Sequence, residues 1–264
     1  MLQLSFIDLP GLLQATSDAV TLDLRSQASY WQGHVPDARH VDATVFALPK
    51  TDPQSIQQYE NRLRWLLSTL GIARDTEVRV YGDALDGAVA RAAWALAFAG
   101  IERVGVLAGP LDGTPAAFTQ AAPAVIARPL DWQPRHALLA TADEIAASLP
   151  GSGAPLLDAR ELADYRGAAA PAARSGHIPG ALHWDNRHEL DSDGVLATPA
   201  ALAERFGTLG LDRAAPVTVY CGSGPRASRT WLALQRAGYS HARVYQASWS
   251  EWRARADLPV EASA

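Results

Sequence analysis

The same series of short motifs occurs twice along the 264-residue chain, in the same order. Residues 20–25 read Val-Thr-Leu-Asp-Leu-Arg, and residues 155–160 read Pro-Leu-Leu-Asp-Ala-Arg. Residues 33–38 read Gly-His-Val-Pro-Asp-Ala, and residues 176–181 read Gly-His-Ile-Pro-Gly-Ala. Several motifs rarely recur in the same order by chance, so the sequence predicts a duplicated domain.

A unit of strand, loop and helix recurs in the same way. Arg91 returns as Arg229 after 138 residues, whereas Tyr81 returns as Tyr220 after 139. The loop that joins the strand to the helix is therefore one residue longer in the first half than in the second.

Strand-like and helix-like stretches alternate within each half. In the first half, Glu77–Tyr81 and Val104–Leu107 are typical of strands, and the alanine-rich Arg91–Ala99 between them is typical of a helix. This alternation indicates a parallel sheet with helices on its faces. We therefore predict the α/β class, with two tandem domains that each have a mainly parallel central sheet flanked by helices.

A proline-containing stretch separates the two halves. Residues 122–137 hold Pro123, Pro129 and Pro134 and show little periodicity, as a linker would. We predict a first domain at residues 1–121, this linker, and a second domain at residues 138–264.

The second half carries the chain's one cysteine at the end of a strand-like stretch. Val217–Tyr220 leads into Cys221, which is followed by Gly222, Ser223, Gly224, Pro225 and Arg226 and then a helical stretch from Ala227. A glycine-rich loop and a helix N-terminus both favour an anion, so the thiolate should be favoured over the thiol. Arg226 adds a fixed positive charge. The alternative, a buried and inert cysteine, does not explain a loop that packs no core.

The first half lacks this nucleophile. Gly82 aligns with Cys221, and the loop after it contains Asp83 and Asp86, which would repel an anion. We predict one active site, in the second domain, and an inert first domain.

Cys-Gly-Ser-Gly after a Val-Thr-Val-Tyr strand resembles the active-site loop of the rhodanese family. More narrowly, nearly the whole chain resembles the two-domain thiosulfate/3-mercaptopyruvate sulfurtransferases. The resemblance implies two rhodanese-like domains, a cleft between them, and a structural role for Asp158, Arg160 and His177. Residues 247–252, Ala-Ser-Trp-Ser-Glu-Trp, resemble a family segment in which Trp249 forms a wall near the active loop, core packing being the alternative.

Three features depart from the family pattern. The loop ends in Pro225-Arg226, where mercaptopyruvate enzymes have Val-Thr. Asp164 stands where those enzymes carry the first of two arginines that bind the substrate carboxylate, so Arg166, shifted by two, and Arg174 become the candidate substrate-binding residues. Phe46 falls about where the family has a cleft histidine.

The resemblance implies a sulfurtransferase that moves sulfane sulfur from thiosulfate or 3-mercaptopyruvate to cyanide or a thiol through a Cys221 persulfide. The persulfide would be bound by Gly222, Ser223, Gly224, Arg226 and Ala227, with neither cofactor nor metal. One alternative is a non-enzymatic persulfide carrier or binding module. Another is a cysteine phosphatase, but its loops have five residues between Cys and Arg, and this chain has four, 222 to 225.

Composition limits the partners. A net charge of −5 gives no reason to expect nucleic acid. No signal peptide and no run of about 20 apolar residues is visible, so we expect no membrane partner. A single cysteine excludes an intrachain disulfide and suits the cytoplasm. The oligomeric state is left open.

Overall fold

The computed structural model describes residues 2–14, 19–111, 113, 115–149, 154–168 and 174–262. The chain forms two compact units. The first unit consists of Met1–Ala47, Gln57–His136 and Asp191–Leu196, and the second of Leu48–Ile56, Ala137–Leu190 and Ala197–Ala264. The limits 1–121, 122–137 and 138–264 therefore stay a prediction, because the compact units also exchange short segments.

The first unit is built on a five-stranded parallel sheet in the order β1-β5-β4-β2-β3. Its central strands are buried on both faces, as β4 shows, and parallel strands in this position are mostly apolar. The helix that follows β4, α4, is also almost fully buried. The elements are β1 (Gln3–Ile7), α1 (Leu9–Leu13), β2 (Ala19–Asp23), α2 (Gln27–Gln32), β3 (Arg39–His40), α3 (Pro53–Thr69, which starts in the segment assigned to the second unit), β4 (Glu77–Tyr81), α4 (Gly87–Phe98) and β5 (Arg103–Leu107).

The second unit has a four-stranded parallel sheet in the order β7-β6-β8-β9. A single parallel bridge from Leu139 to Val244 takes the place that β1 has in the first sheet. The elements are α5 (Ala142–Ala147), β6 (Leu156–Asp158), α6 (Leu162–Tyr165), β7 (Leu182–His183), α7 (Pro199–Gly207), β8 (Val217–Tyr220), α8 (Pro225–Arg236), β9 (Ala242–Val244) and α9 (Ser248–Ala254), with short 3-10 helices at Ala43–Phe46, His136–Leu138 and Asn186–Glu189.

The repeated Asp-x-Arg motif forms the same buried ion pair in both units. Arg25 Nη2 lies 2.6 Å from Asp23 Oδ2, and Arg160 Nη2 lies 2.6 Å from Asp158 Oδ2, with all four side chains buried. In both units the arginine also donates to a glycine carbonyl, Arg25 to Gly33 at 2.7 Å and Arg160 to Gly176 at 2.6 Å. Such pairs close the carboxyl end of a strand and are costly to break, because a single buried charge would be left unpaired.

The repeated Gly-His motif is ordered by an aromatic stack. His34 lies on Tyr30 with ring centroids 3.9 Å apart, and His177 lies on Tyr165 at 3.8 Å. His177 Nδ1 is 2.8 Å from the Tyr165 carbonyl oxygen. Its contacts are therefore those of a loop-ordering side chain.

The residue pattern predicted strands β4, β5 and β8 and the alanine-rich helix, but it predicted none of the strands β1, β3, β7 and β9. The alanine-rich helix begins at Gly87, four residues before the predicted Arg91, because Asp86 caps it. The predicted Thr141–Glu144 capping box is present. Strand β1 was not predicted, because its apolar residues Leu4, Phe6 and Ile7 form only a short run.

Candidate active site

Cys221 follows β8 directly, at the carboxyl end of the central strand of the second sheet. Val217, Thr218, Val219 and Tyr220 are all buried, and Cys221 itself is only 1% exposed. The carboxyl ends of parallel strands are where ligand sites of α/β sheets form. The strand therefore delivers the thiol to this edge, and the chain must turn sharply after it to start α8.

The turn brings a backbone N–H group to the sulfur. Gly224 has a φ of +107°, a conformation that glycine adopts at little cost. Its N–H donates to Cys221 Sγ at 3.1 Å. Pro225 is the first helical residue of α8 and has no N–H to satisfy. A backbone donor aimed at sulfur stabilises the charged thiolate more than the neutral thiol.

Helices α4 and α8 start differently although they occupy equivalent places. In α4 the Asp86 carboxylate accepts N–H bonds from Ala88 at 2.8 Å and Val89 at 3.0 Å. In α8 none of the described side chains caps the equivalent N–H groups, which belong to Arg226 and Ala227. The first unit thus holds the Asp86 carboxylate at the start of α4, where the second unit has uncapped N–H groups at the start of α8. The start of α8 is therefore suited to bind an anion.

The first residues of α9 form hydrogen bonds with the backbone of the cysteine loop. Trp249 N–H donates to the Cys221 carbonyl at 3.0 Å, and Ser250 N–H to the Gly222 carbonyl at 2.9 Å. Ser248 Oγ accepts from Cys221 N–H at 3.1 Å and donates to the Tyr245 carbonyl at 2.8 Å. Because its one hydroxyl proton points to Tyr245, Ser248 orders the backbone of Cys221 and leaves its sulfur, 4.0 Å away, available.

Hydrogen bonds of buried side chains also hold the loop and α8 in place. Ser228 Oγ donates to the Gly224 carbonyl at 3.0 Å, and Gln246 Nε2 donates to Ser228 Oγ at 2.9 Å. Glu189 accepts from Arg229 Nε at 3.0 Å and from Trp184 Nε1 at 3.0 Å, which fixes α8 on the unit. These contacts keep the loop in one conformation, as a preorganised site requires.

A cavity of about 300 Å³ opens over the loop within the second unit. Its lining includes four arginines and one aspartate. It consists of Arg160, Asp164, Gly167, Arg174, Ser175, Gly176, Gly222, Arg226, Trp249, Ser250 and Arg253. A volume of this size suits a small substrate.

The arginines of this cavity differ in how strongly they are already bound. Arg160 is paired with Asp158 and stacks on the Trp249 ring, 4.6 Å from its centroid. Arg174 donates to backbone carbonyls of residues 256 and 258. Arg226 Nη2 lies 3.8 Å from Asp164 Oδ2, a loose and half-exposed pair. Of these three arginines, Arg226 is therefore the easiest for an anionic ligand to engage.

The structure brings together most of the residues that the sequence singled out. Gly222, Arg226, Arg174 and Trp249 line one cavity. Gly224 touches the sulfur, Ala227 is buried at the start of α8, and Ser223 is exposed on the loop. Arg166 is exposed at the end of α6, where its neighbours Asp164 and Gly167 line the cavity instead. Phe46 is fully buried in the core.

Sequence reasoning missed three residues of this site. Ser248 and Ser250 stand on either side of Trp249, and Arg253 is one helical turn further along α9. Within the described part of the chain, the Arg253 guanidinium has no hydrogen-bond or ion-pair partner. Its signal was the i, i+4 spacing from Trp249, which places both on one face of a helix.

Among the described residues, no group of three or more histidine, cysteine, aspartate or glutamate side chains is arranged to hold a metal ion. No helix in those residues is both long and apolar enough to cross a membrane.

Two segments of the chain, residues 9–113 and 141–255, match the rhodanese-like domain family. Since they cover most of the chain, the protein belongs to the rhodanese family and contains two rhodanese-like domains. The predicted family and the predicted α/β fold of two mainly parallel sheets are confirmed.

Curated relatives extend over most of the chain. Thiosulfate sulfurtransferase of Azotobacter vinelandii is 30% identical over 96% of this chain and 95% of its own length. The 3-mercaptopyruvate sulfurtransferase of Escherichia coli K12 is 31% identical over 88% of this chain and 84% of its own. These relatives confirm the predicted enzyme class, a sulfurtransferase.

A solved structure shares the fold. A variant of EanB in complex with ergothioneine superposes with a TM-score of 0.83 at 19% identity, over 98% of this chain and 70% of the EanB chain. At that level of identity the likeness concerns the fold alone.

Proposed function

We propose that the protein transfers sulfane sulfur from a small anionic donor to a nucleophilic acceptor through a persulfide on Cys221. The observation that carries the proposal is the pairing of a single thiol with a backbone N–H at 3.1 Å and an uncapped helix start. Both features stabilise a negative charge on the sulfur or on the atom attached to it.

The first step forms one S–S bond and breaks another. The Cys221 thiolate attacks the outer sulfur of thiosulfate, and the electron pair of the broken bond leaves on sulfite. The enzyme then carries an anionic persulfide, and the total charge is unchanged. The N–H groups of Arg226 and Ala227 are placed to receive this anion, as the equivalent groups receive the Asp86 carboxylate.

The second step restores the thiolate. Cyanide attacks the terminal persulfide sulfur and leaves as thiocyanate, or a thiolate takes the sulfur as a new persulfide. Because the donor and the acceptor use the same cavity in turn, the kinetics should be of the ping-pong type. The cavity of about 300 Å³ supports sequential use by small molecules.

The charged side chains of the cavity favour thiosulfate as the sulfur donor. A carboxylate donor such as 3-mercaptopyruvate would meet Asp164 in the cavity, at the position where mercaptopyruvate enzymes carry an arginine. Thiosulfate needs no carboxylate pocket, and its two charges suit Arg226 and Arg253. We therefore expect activity with thiosulfate at least comparable to that with 3-mercaptopyruvate.

Replacing Cys221 by serine tests the proposal. Cys221→Ser should fold as the wild type and lose all thiosulfate:cyanide turnover, because serine cannot form a persulfide. The wild type should gain the mass of one sulfur atom when incubated with thiosulfate alone. Turnover by folded Cys221→Ser would refute the proposal, and a sulfur gain without turnover would identify a carrier.

A further inference from the structure

A second polar cavity, of about 530 Å³, lies in the first unit. Three arginines and one acid are part of its lining, which consists of Ala19, Val20, Arg39, Gly71, Asp75, Thr76, Arg103, Ala124, Ile126 and Arg128. Ala19 begins β2, Arg103 begins β5, and Thr76 immediately precedes β4. The cavity therefore lies at the amino ends of three neighbouring parallel strands, whereas Gly82, the counterpart of Cys221, follows the carboxyl end of β4.

Among the described lining residues, Arg39 is the arginine whose buried side-chain donors are unsatisfied. Its Nε and Nη1 atoms are buried and have no hydrogen-bond partner among the described residues. Burial lowers the pKa of Arg39, which the charge of Asp37 offsets only in part. A buried guanidinium nitrogen without a partner costs free energy, so a ligand that accepts its hydrogen bonds would be bound favourably.

The other two arginines increase the positive charge. Arg103 Nη2 donates to the Asp75 carbonyl at 2.7 Å, which satisfies hydrogen bonding without neutralising the charge. Arg128 is exposed, and its backbone N–H donates to the Ser68 carbonyl. Among the described residues of the lining, Asp75 is the one acid, and it forms no ion pair with these arginines. Three cations thus face one carboxylate.

The fold does not require an arginine at position 39. In the first sheet Arg39 pairs with Leu22, one residue before the buried Asp23. In the second sheet the same register position is Leu182, which pairs with Leu157 one residue before Asp158. One copy of the domain therefore folds with leucine where the other carries the unpartnered cation.

We propose that this cavity binds a divalent tetrahedral oxyanion, of the phosphate or sulfate type, free or as the ester of a small molecule. Arg39 supplies the buried donors and Arg103 and Arg128 the remaining charge. The volume of about 530 Å³ exceeds what an inorganic anion fills, and Ala124 and Ile126 offer apolar contacts to the remainder of an ester.

The test is a titration of the full chain, followed by the amide signals of Gly71 and Thr76 in nitrogen–proton NMR spectra. The probes are inorganic phosphate, sulfate and methyl phosphate, at ionic strength held constant with sodium chloride. Saturable shifts are expected, and tighter binding of methyl phosphate than of phosphate would identify the ester as the ligand class.

Matched variants locate the site. Arg39→Leu copies the second domain and should raise the dissociation constant by about tenfold or more, as loss of a charged hydrogen bond does. The exposed Arg128→Ala should weaken binding by about threefold or more. Arg64→Leu, an exposed charge change on α3 outside the cavity, should leave binding unchanged. Arg226→Ala should also leave it unchanged and removes a cation of the other cavity.

Two results would overturn the proposal. One is the absence of saturable shifts beyond those that chloride produces. The other is equal binding by wild type, Arg39→Leu and Arg128→Ala, which would place the anion elsewhere.

Discussion

At the scale of single residues, the proposed chemistry depends on how free each cation of the active cavity is. Arg160 is held by Asp158, and Arg174 by two backbone carbonyls, so both keep their positions whether or not a ligand is present. Arg226 has only the loose contact with Asp164, at 3.8 Å. An exposed ion pair of this kind contributes about 1 kcal/mol or less, so an incoming dianion can replace Asp164 as the partner of Arg226.

Arg226→Ala should therefore lower kcat/KM for thiosulfate by about tenfold or more, the equivalent of one charged hydrogen bond. Arg174→Ala should lower it less, because its guanidinium is already engaged. Steady-state rates of thiocyanate formation by both variants measure the difference. Asp164→Asn is the matched control, and it should raise kcat/KM because it frees Arg226. A larger loss in Arg174→Ala, or a strong preference for 3-mercaptopyruvate, would contradict this description of the cavity.

Residue patterns located the sulfur and the loop but only part of the cavity. Cys221 was predictable because a unique thiol precedes two glycines, a pattern with a local physical reason. Arg253 and Ser248 were not, because they reach the loop through the packing of α9, more than 25 residues further along the chain. Arg166 was expected at the cavity from its position in the chain, yet α6 leaves it exposed.

At the scale of elements, the two copies of the strand–loop–helix unit differ in what satisfies the first N–H groups of the helix. Asp86 satisfies them in α4, and a side-chain cap of this kind contributes about 1 kcal/mol. α8 has no such cap. Asp86 and Gly224 hold the same N-cap position, so the extra loop residue of the first copy, which the sequence predicted, lies before the cap. Repeat comparison predicted that the first copy lacks the nucleophile, whereas the contact of Asp86 with the helix start required coordinates.

A cysteine placed at Gly82 should therefore not make the first unit active. In Cys221→Ser carrying Gly82→Cys, we expect no mass gain with thiosulfate, for two reasons. Asp86 already occupies the helix start, and a Cβ at Gly82 would lie 2.6 Å from Val89 Cγ2. Intact-mass analysis measures the outcome, and adding Asp86→Gly tests which obstacle dominates. Persulfide formation in the variant that keeps Asp86 would show that the cap is no barrier.

At the scale of the whole molecule, the duplicated fold was predictable from repeated motifs, but the division into compact units was not. Leu48–Ile56 belongs by its contacts to the second unit, although residues of the first unit flank it in sequence. Asp191–Leu196 belongs to the first unit, although residues of the second unit flank it. In the second unit, Thr51 Oγ1 donates to Glu251 at 2.7 Å and accepts from Ala142 N–H at 3.0 Å. Such exchanged segments leave no composition signal, because they are short and polar.

The stability of the molecule should fall on acidification, in part through Asp185. Hydrogen bonding from Arg187 lowers the pKa of Asp185 from 3.8 to about 2, with burial opposing it. A group with a lowered pKa in the folded state stabilises the fold above its unfolded pKa and loses that contribution as the pH falls through the folded pKa. Asp185 thus stabilises the protein above about pH 4 and ceases to do so near pH 2.

Asp185→Asn should cost less than about 1 kcal/mol at pH 7, because Arg187 is exposed and the pair is screened by solvent. The difference between variant and wild type should shrink as the pH falls from about 4 toward 2. Urea unfolding across this range measures it. A stability difference that does not change with pH would mean that Asp185→Asn destabilises the protein for another reason, such as loss of the cap on the 3-10 helix Asn186–Glu189.

Because the start of α8 is open to an anion, ligands that bind there should raise the melting temperature of the protein. A molecule that binds only the folded state raises the free energy of unfolding, by about 2.7 kcal/mol at a hundred times its dissociation constant. Collections of sulfur-containing anions can therefore be screened by thermal shift with Cys221→Ser, in which no turnover consumes them. Carrying out the screen with Arg39→Leu also present removes the contribution of the first unit, so that a physiological donor is recognised before any assay of its reaction exists.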